Sequence, residues 1–161
     1  MKKIKLYLFI LSFISATSVG FAQNIPVNTL PTSVKKVLDQ YITILKSETL
    51  EECCEKFVEI AGGSLVNSEF PITLYSDLKQ FSLKKDFENI KFYANPIIIT
   101  RVLKSESNGN GYGETAIAGT IYKIWIKKKE GVNGMPAPVQ ILVPKNHQQI
   151  TTPKVVVIGS F

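Results

Sequence analysis

The sequence is poor in the residues that most often carry chemistry. It holds one histidine, His147, and two cysteines that are chain neighbours, Cys53 and Cys54. A closed zinc site needs four cysteine or histidine ligands, so these three cannot build one, and no metal or cofactor is expected. There is no G-x-S-x-G elbow, no Walker phosphate loop and no internal repeat. The glycines of "GNGYG", 109–113, precede a β-like segment rather than a helix, so they read as a turn and not as an anion cradle. Arginine is nearly absent too: Arg101 is the only one.

What the chain does have begins with "MKKIKLYLFILSFISATSVGFAQN". Three lysines precede an apolar run from Leu6 to about Ile14, and small residues follow. That order is the pattern of an export signal, and the run is too short for the roughly 20 residues that span a bilayer. Gly20 and Ala22 stand at the −3 and −1 positions of a cut before Gln23. The expected mature chain is therefore 23–161, exported to the periplasm or beyond, with no membrane association after cleavage. The formal charge of +6 includes Lys2, Lys3 and Lys5; without them 19 − 3 = 16 basic residues face 13 acidic ones, or +3. So small and unclustered an excess gives no nucleic-acid surface. The runs Lys84-Lys85 and Lys127 to Lys129 flank apolar segments and read as solvated element ends.

After a leader over 23–30, Val34, Val37, Leu38, Tyr41 and Leu45 recur at helical spacing and predict a helix over 31–46. Thr49 and Glu52 form a capping-box pattern that opens a second helix over 50–61, ending at Gly62-Gly63. On that helix Leu50, Cys53, Cys54, Phe57, Val58 and Ala61 make one apolar stripe, which assigns both thiols to the buried side as small hydrophobes. A bond between them is disfavoured, because adjacent Cα atoms lie about 3.8 Å apart and disulfides usually need about 4.4 to 6.8 Å. "SLVN" reads as a short strand and "LYSDLKQFSLKKDFENI" as one or two short helices. From about residue 90 the texture is β: "IKFYA", "PIIITRVLKS", "ETAIAGTIYKIWIKK", "PVQILVP" and "KVVVIGSF", separated by hairpin-like turns. The expectation is one α+β domain over 31–161, with N-terminal helices on a strongly curved, mostly antiparallel sheet.

The order of paired helices, a Gly-Gly break into "GGSLVN", a third helix and a long meander ending in "KVVVIGSF" resembles the NTF2-like (cystatin-like) superfamily. The resemblance implies a sheet curled around the helices to leave a conical pocket, and homodimers paired through their sheets. The fold serves enzymes and binding modules alike. Its enzymes similar to ketosteroid isomerase need a carboxylate base in the pocket. Here Asp39, Glu48, Glu51, Glu52, Glu55, Glu59 and Asp77 fall on polar helical faces or caps, and Glu114 sits beside a turn. No catalytic residue can be matched. The leading reading is thus an exported binding or interaction module for a small apolar or anionic molecule, or for a protein that meets the sheet face. The rival is a small isomerase, dehydratase or hydrolase using Glu114, His147, Tyr93 or Arg101. A cystatin-type inhibitor is disfavoured, since "VQILVP" breaks the Q-x-V-x-G loop pattern. Candidate ligand contacts are Arg101, Tyr93, Tyr122 and Trp125: a planar fork of donors suits a carboxylate, and the aromatics suit its apolar body. Strict alternation puts Ile97, Ile99, Arg101 and Leu103 on one face of their strand.

Overall fold

A computed structural model describes residues 22–161. The export signal read in 1–22 lies outside them, apart from Ala22. Among the described residues no helix is long and apolar enough to cross a membrane.

Apolar periodicity sets the helices. In α1 (Thr32–Ile44) Val34, Val37, Leu38, Tyr41 and Ile42 form the buried stripe, and Pro31 stands just ahead, where its lack of an N–H costs nothing. Helix α2 (Leu50–Phe57) opens on Thr49, whose hydroxyl accepts from the Glu52 N–H at 3.2 Å. Glu52 reaches back to the Glu48 N–H at 3.1 Å and pairs with Lys56 one turn on. The helix stops four residues short of the expected 61 because the backbone is taken over by the sheet. Val155 N–H donates to Ile60 O at 2.8 Å, and Gly62 N–H donates to Val155 O at 3.0 Å. Next, α3 (Ser76–Gln80) and α4 (Ser82–Asn89) form a broken third helix interrupted at Phe81.

Five strands make an open, wholly antiparallel meander: β1 (Gln23–Ile25), β2 (Ile99–Asn110), β3 (Ile117–Ile126), β4 (Ala137–Pro144) and β5 (Lys154–Val157), neighbours in that order. The α+β class and the antiparallel sheet match the sequence reading. Three segments differ from it. "SLVN" is a 3-10 turn over Gly63–Leu65 with only Val66 bridged to Leu74, and "IKFYA" is a 3-10 turn over Ile90–Phe92 with only Tyr93 bridged, to Lys128. In the first case Gly63 turns to a φ of +59° and the Asn110 side chain takes the Ser64 N–H at 2.9 Å, so that N–H is spent outside a ladder. The leader 23–30 holds β1, a 3-10 turn over Val27–Thr29 and the buried Leu30.

The inner sheet face carries Val102, Tyr122, Ile124, Ile126, Val139, Ile141 and Val155, all buried and continuous with Leu38, Tyr41, Cys53 and Phe57 of the helices. A fully buried side chain of this size contributes about 1.5 to 3 kcal/mol. On the outer face a smaller cluster of Ile117, Leu142, Ile150 and Val156, with Phe70 and Ile72 against it, covers one end of the sheet.

Candidate ligand-binding surface

A bulge decides where the single arginine points. The register runs Ile99↔Ile126 and then Arg101↔Trp125, so one extra residue is accommodated at Thr100. Strict alternation is broken there. Ile99 therefore stays on the inner face with Val102, while Arg101 joins Leu103 on the outer one, which corrects the sequence expectation that Ile99 and Arg101 share a face.

On the outer face Arg101, Trp125 and Pro138 form one cross-strand row, and Asn24, Leu103, Lys123 and Gln140 the next. Arg101 is exposed and its guanidinium lies 4.9 Å from the centre of the Trp125 ring. Lys123 Nζ is 5.1 Å from the same ring. Each contact gains the cation–π attraction of about 0.5 to 1 kcal/mol typical of exposed sites. The Arg101 Nε–H donates a long bond of 3.4 Å to the Asn24 side-chain oxygen, so β1 helps to aim the guanidinium. Among the described residues the only ion pairs within 4.0 Å are Glu52–Lys56 and Glu88–Lys84, which leaves both cations of this patch without a carboxylate partner. Neither row contains an acidic residue. The surface is an aromatic platform under two uncompensated positive charges.

The other two expected contacts lie elsewhere. Tyr122 is buried on the inner face, opposite Lys104 and Ile141. Tyr93 is 2% exposed, with its ring 4.6 Å from that of Phe161, and its hydroxyl has no hydrogen-bond partner. Burial, helped by the Asp86 charge, pushes this phenol up to about 12, so it stays protonated.

The residues of the rival enzyme reading do not converge. His147 does meet Glu114, but through the backbone: Nε2 lies 3.0 Å from the Glu114 carbonyl oxygen. Its Nδ1 accepts from the N–H groups of Gln149 at 3.2 Å and Ile150 at 2.8 Å. The ring proton therefore sits on Nε2, and both nitrogens are spent on holding the 145–153 loop. Glu114 lies in the turn between β2 and β3, whereas Arg101 lies at the other end of β2. Nine strand positions separate Arg101 from Asn110, roughly 30 Å at the usual rise, far beyond the reach of proton transfer. No group of three or more His, Cys, Asp or Glu side chains among the described residues is placed to hold a metal ion.

Both cysteines are free thiols buried on the stripe that the periodicity marks. Burial pushes Cys53 up to about 12 and raises Cys54 as well. The larger clefts are on the helical side: about 720 Å³ between α2 and the broken third helix, bordered by Cys54 and Phe81, and about 750 Å³ between α1 and α2.

Sequence reasoning missed Lys123, Asn24 and Asp86. Asp86 carried a readable signal, for it falls on the stripe of Leu83 and Ile90, where an apolar residue is expected. Comparison with protein-family models, curated proteins and solved structures found no match.

Proposed function

We propose that the chain is an exported interaction module of NTF2-like architecture, and that its outer sheet face docks an acidic surface of a partner protein through Arg101 and Trp125. The supporting observation is the guanidinium laid against the indole with no carboxylate in reach. An arginine held for structural reasons is normally paired, whereas tryptophan and arginine together are the residue types that dominate protein interfaces. An open sheet suits a protein surface better than a small molecule, which needs enclosure on most sides. Pairing through a two-fold axis at this face would bring Arg101 and Lys123 toward their own copies, and like charges oppose it. The enzyme alternative has no converging set of groups to support it.

Trp125 is the only tryptophan, so its emission reports on this face alone. Titration with a Glu-rich octapeptide should shift that emission, weaken with added salt, and lose about tenfold in affinity in Arg101→Ala, the 1.4 kcal/mol scale of an interface anchor. An equal response to a Lys-rich octapeptide, or an unchanged affinity in the variant, would refute the reading.

A further inference from the structure

The cleft of about 720 Å³ between α2 and the broken third helix has two helical walls over an apolar floor. Leu50, Cys54 and Val58 stand at i, i+4 and i+8, one straight row along α2. At 1.5 Å per residue that row is about 12 Å long, a little over two turns. Glu51 and Glu55, one position on, make a parallel acidic row on the same wall, and Lys79 and Lys84 stand on the opposite one. Between these lysines in the chain, at the break between α3 and α4, Phe81 is 68% exposed.

The two rows of charge do not neutralise each other. Among the described residues Glu51, Glu55 and Lys79 form no ion pair within 4.0 Å, and Lys84 reaches only Glu88 on its own helix, at 3.9 Å. Both rows are nevertheless felt at the floor: burial raises the Cys54 thiol, Lys79 pulls it down, and Glu51 and Glu55 push it up. Leu50 and Val58 are only half covered, and the charged rims are exposed. A small molecule here would stay wet on one side, whereas small-molecule sites enclose most of their ligand. A third helix laid in the groove meets every feature at once, with its apolar stripe on the floor and its flanks on the rims.

We propose that this cleft receives an amphipathic helix of a partner protein, its apolar stripe on Leu50, Cys54, Val58 and Phe81, a basic flank along Glu51 and Glu55, and an acidic flank along Lys79 and Lys84. Walls of opposite sign set both the chemistry of the partner and its direction, because turning the helix end for end exchanges its flanks and brings like charges together. The site is on the helical side of the molecule and stands or falls separately from the sheet face.

The probe is a labelled synthetic helix of roughly 16 residues, with leucines at i, i+4, i+7 and i+11, lysines on one flank and glutamates on the other. Its control carries lysines on both flanks. Fluorescence anisotropy should show the mixed-flank peptide binding about tenfold more tightly than the control and weakening with added salt, while the Trp125 emission stays unshifted. Phe81→Ser should weaken it about tenfold without lowering the unfolding temperature, since this ring lies outside the core. The paired substitution Lys79→Glu and Lys84→Glu should exchange the preference, so that the all-lysine control binds the more tightly; mere damage to the fold would weaken both peptides. No binding of the mixed-flank peptide, equal affinity for the control, indifference to Phe81→Ser, an unexchanged preference or a shifted Trp125 emission would each overturn the proposal. So would a dimer of the unliganded chain that Phe81→Ser dissolves, which gives the cleft to a second copy, or a bound anilinonaphthalene sulfonate dye that the peptide fails to displace, which gives it to a small molecule.

Discussion

Asp86 is the side chain on which most of the polar interior depends. Its Oδ2 accepts from the Tyr41 hydroxyl at 2.6 Å and the Gly159 N–H at 2.7 Å, and its Oδ1 from the Phe161 N–H at 2.8 Å. One carboxylate thus ties α4 to α1 and to the segment after β5. Burial pushes its pKa above the ordinary carboxylate range, and the three donated bonds pull it back only part of the way. The sign of the linkage follows. A carboxyl whose folded pKa is raised adds stability that is fully present below its unfolded value of about 3.9 and is lost as pH rises through the folded pKa. Asp86→Ala leaves two buried donors and one partly buried donor without an acceptor and should cost on the order of 3 kcal/mol or more. Urea unfolding at pH 4 and pH 7 checks both parts, since the wild type should lose more stability over that interval than the variant does. His147 teaches the complementary lesson. A lone histidine in a polar loop invites a catalytic reading, yet its two nitrogens are consumed by backbone groups that no sequence pattern announces.

At the scale of elements, the sequence was legible where one local rule decided the outcome. The stripe of Val34 to Tyr41 and the Thr49 cap needed only residues a few positions apart, and they placed α1 and the start of α2 correctly. It failed where distant backbone competed. "SLVN" has strand-like side chains, but its neighbour Gly63 packs against the turn between β2 and β3 so closely that the ladder cannot form. A Cβ on Gly111, itself at a φ of +90°, would meet the Gly63 carbonyl carbon at 2.6 Å. Likewise the bulge at Thr100 reverses the side of Arg101, and alternation alone assigns the wrong partners. The close approach can be tested against an open control. Gly131 has a φ of +79° and open space where an alanine methyl would stand, so Gly131→Ala should cost only backbone strain, about 1 kcal/mol. Gly111→Ala should cost on the order of 2 to 3 kcal/mol, and equal losses in chemical denaturation would show that the contact with Gly63 is slack.

For the molecule as a whole, the two sides of the sheet have separate tasks. The inner side is spent on the core, with Val102, Ile124, Ile126, Val139 and Val155 fully buried. The outer side is covered at one end by Ile150 and its neighbours and open at the Arg101–Trp125 end. From that division the expected state is a monomer, because neither a covered end nor a cationic one pairs well with itself. Sedimentation velocity at micromolar concentrations checks this, and a dimer that shields Trp125 from a soluble quencher would assign the face to self-association instead.

The order of the sheet also bears on how the chain is made. Strands β2 to β5 each pair with the next one along, so each hairpin can close as soon as its second strand has left the ribosome. β1 is different: Gln23 lies opposite Lys104, and Ile25 opposite Val102. The first strand described is therefore synthesised well before its partner exists, and it must wait, unpaired, while α1, α2 and the broken third helix are added behind it.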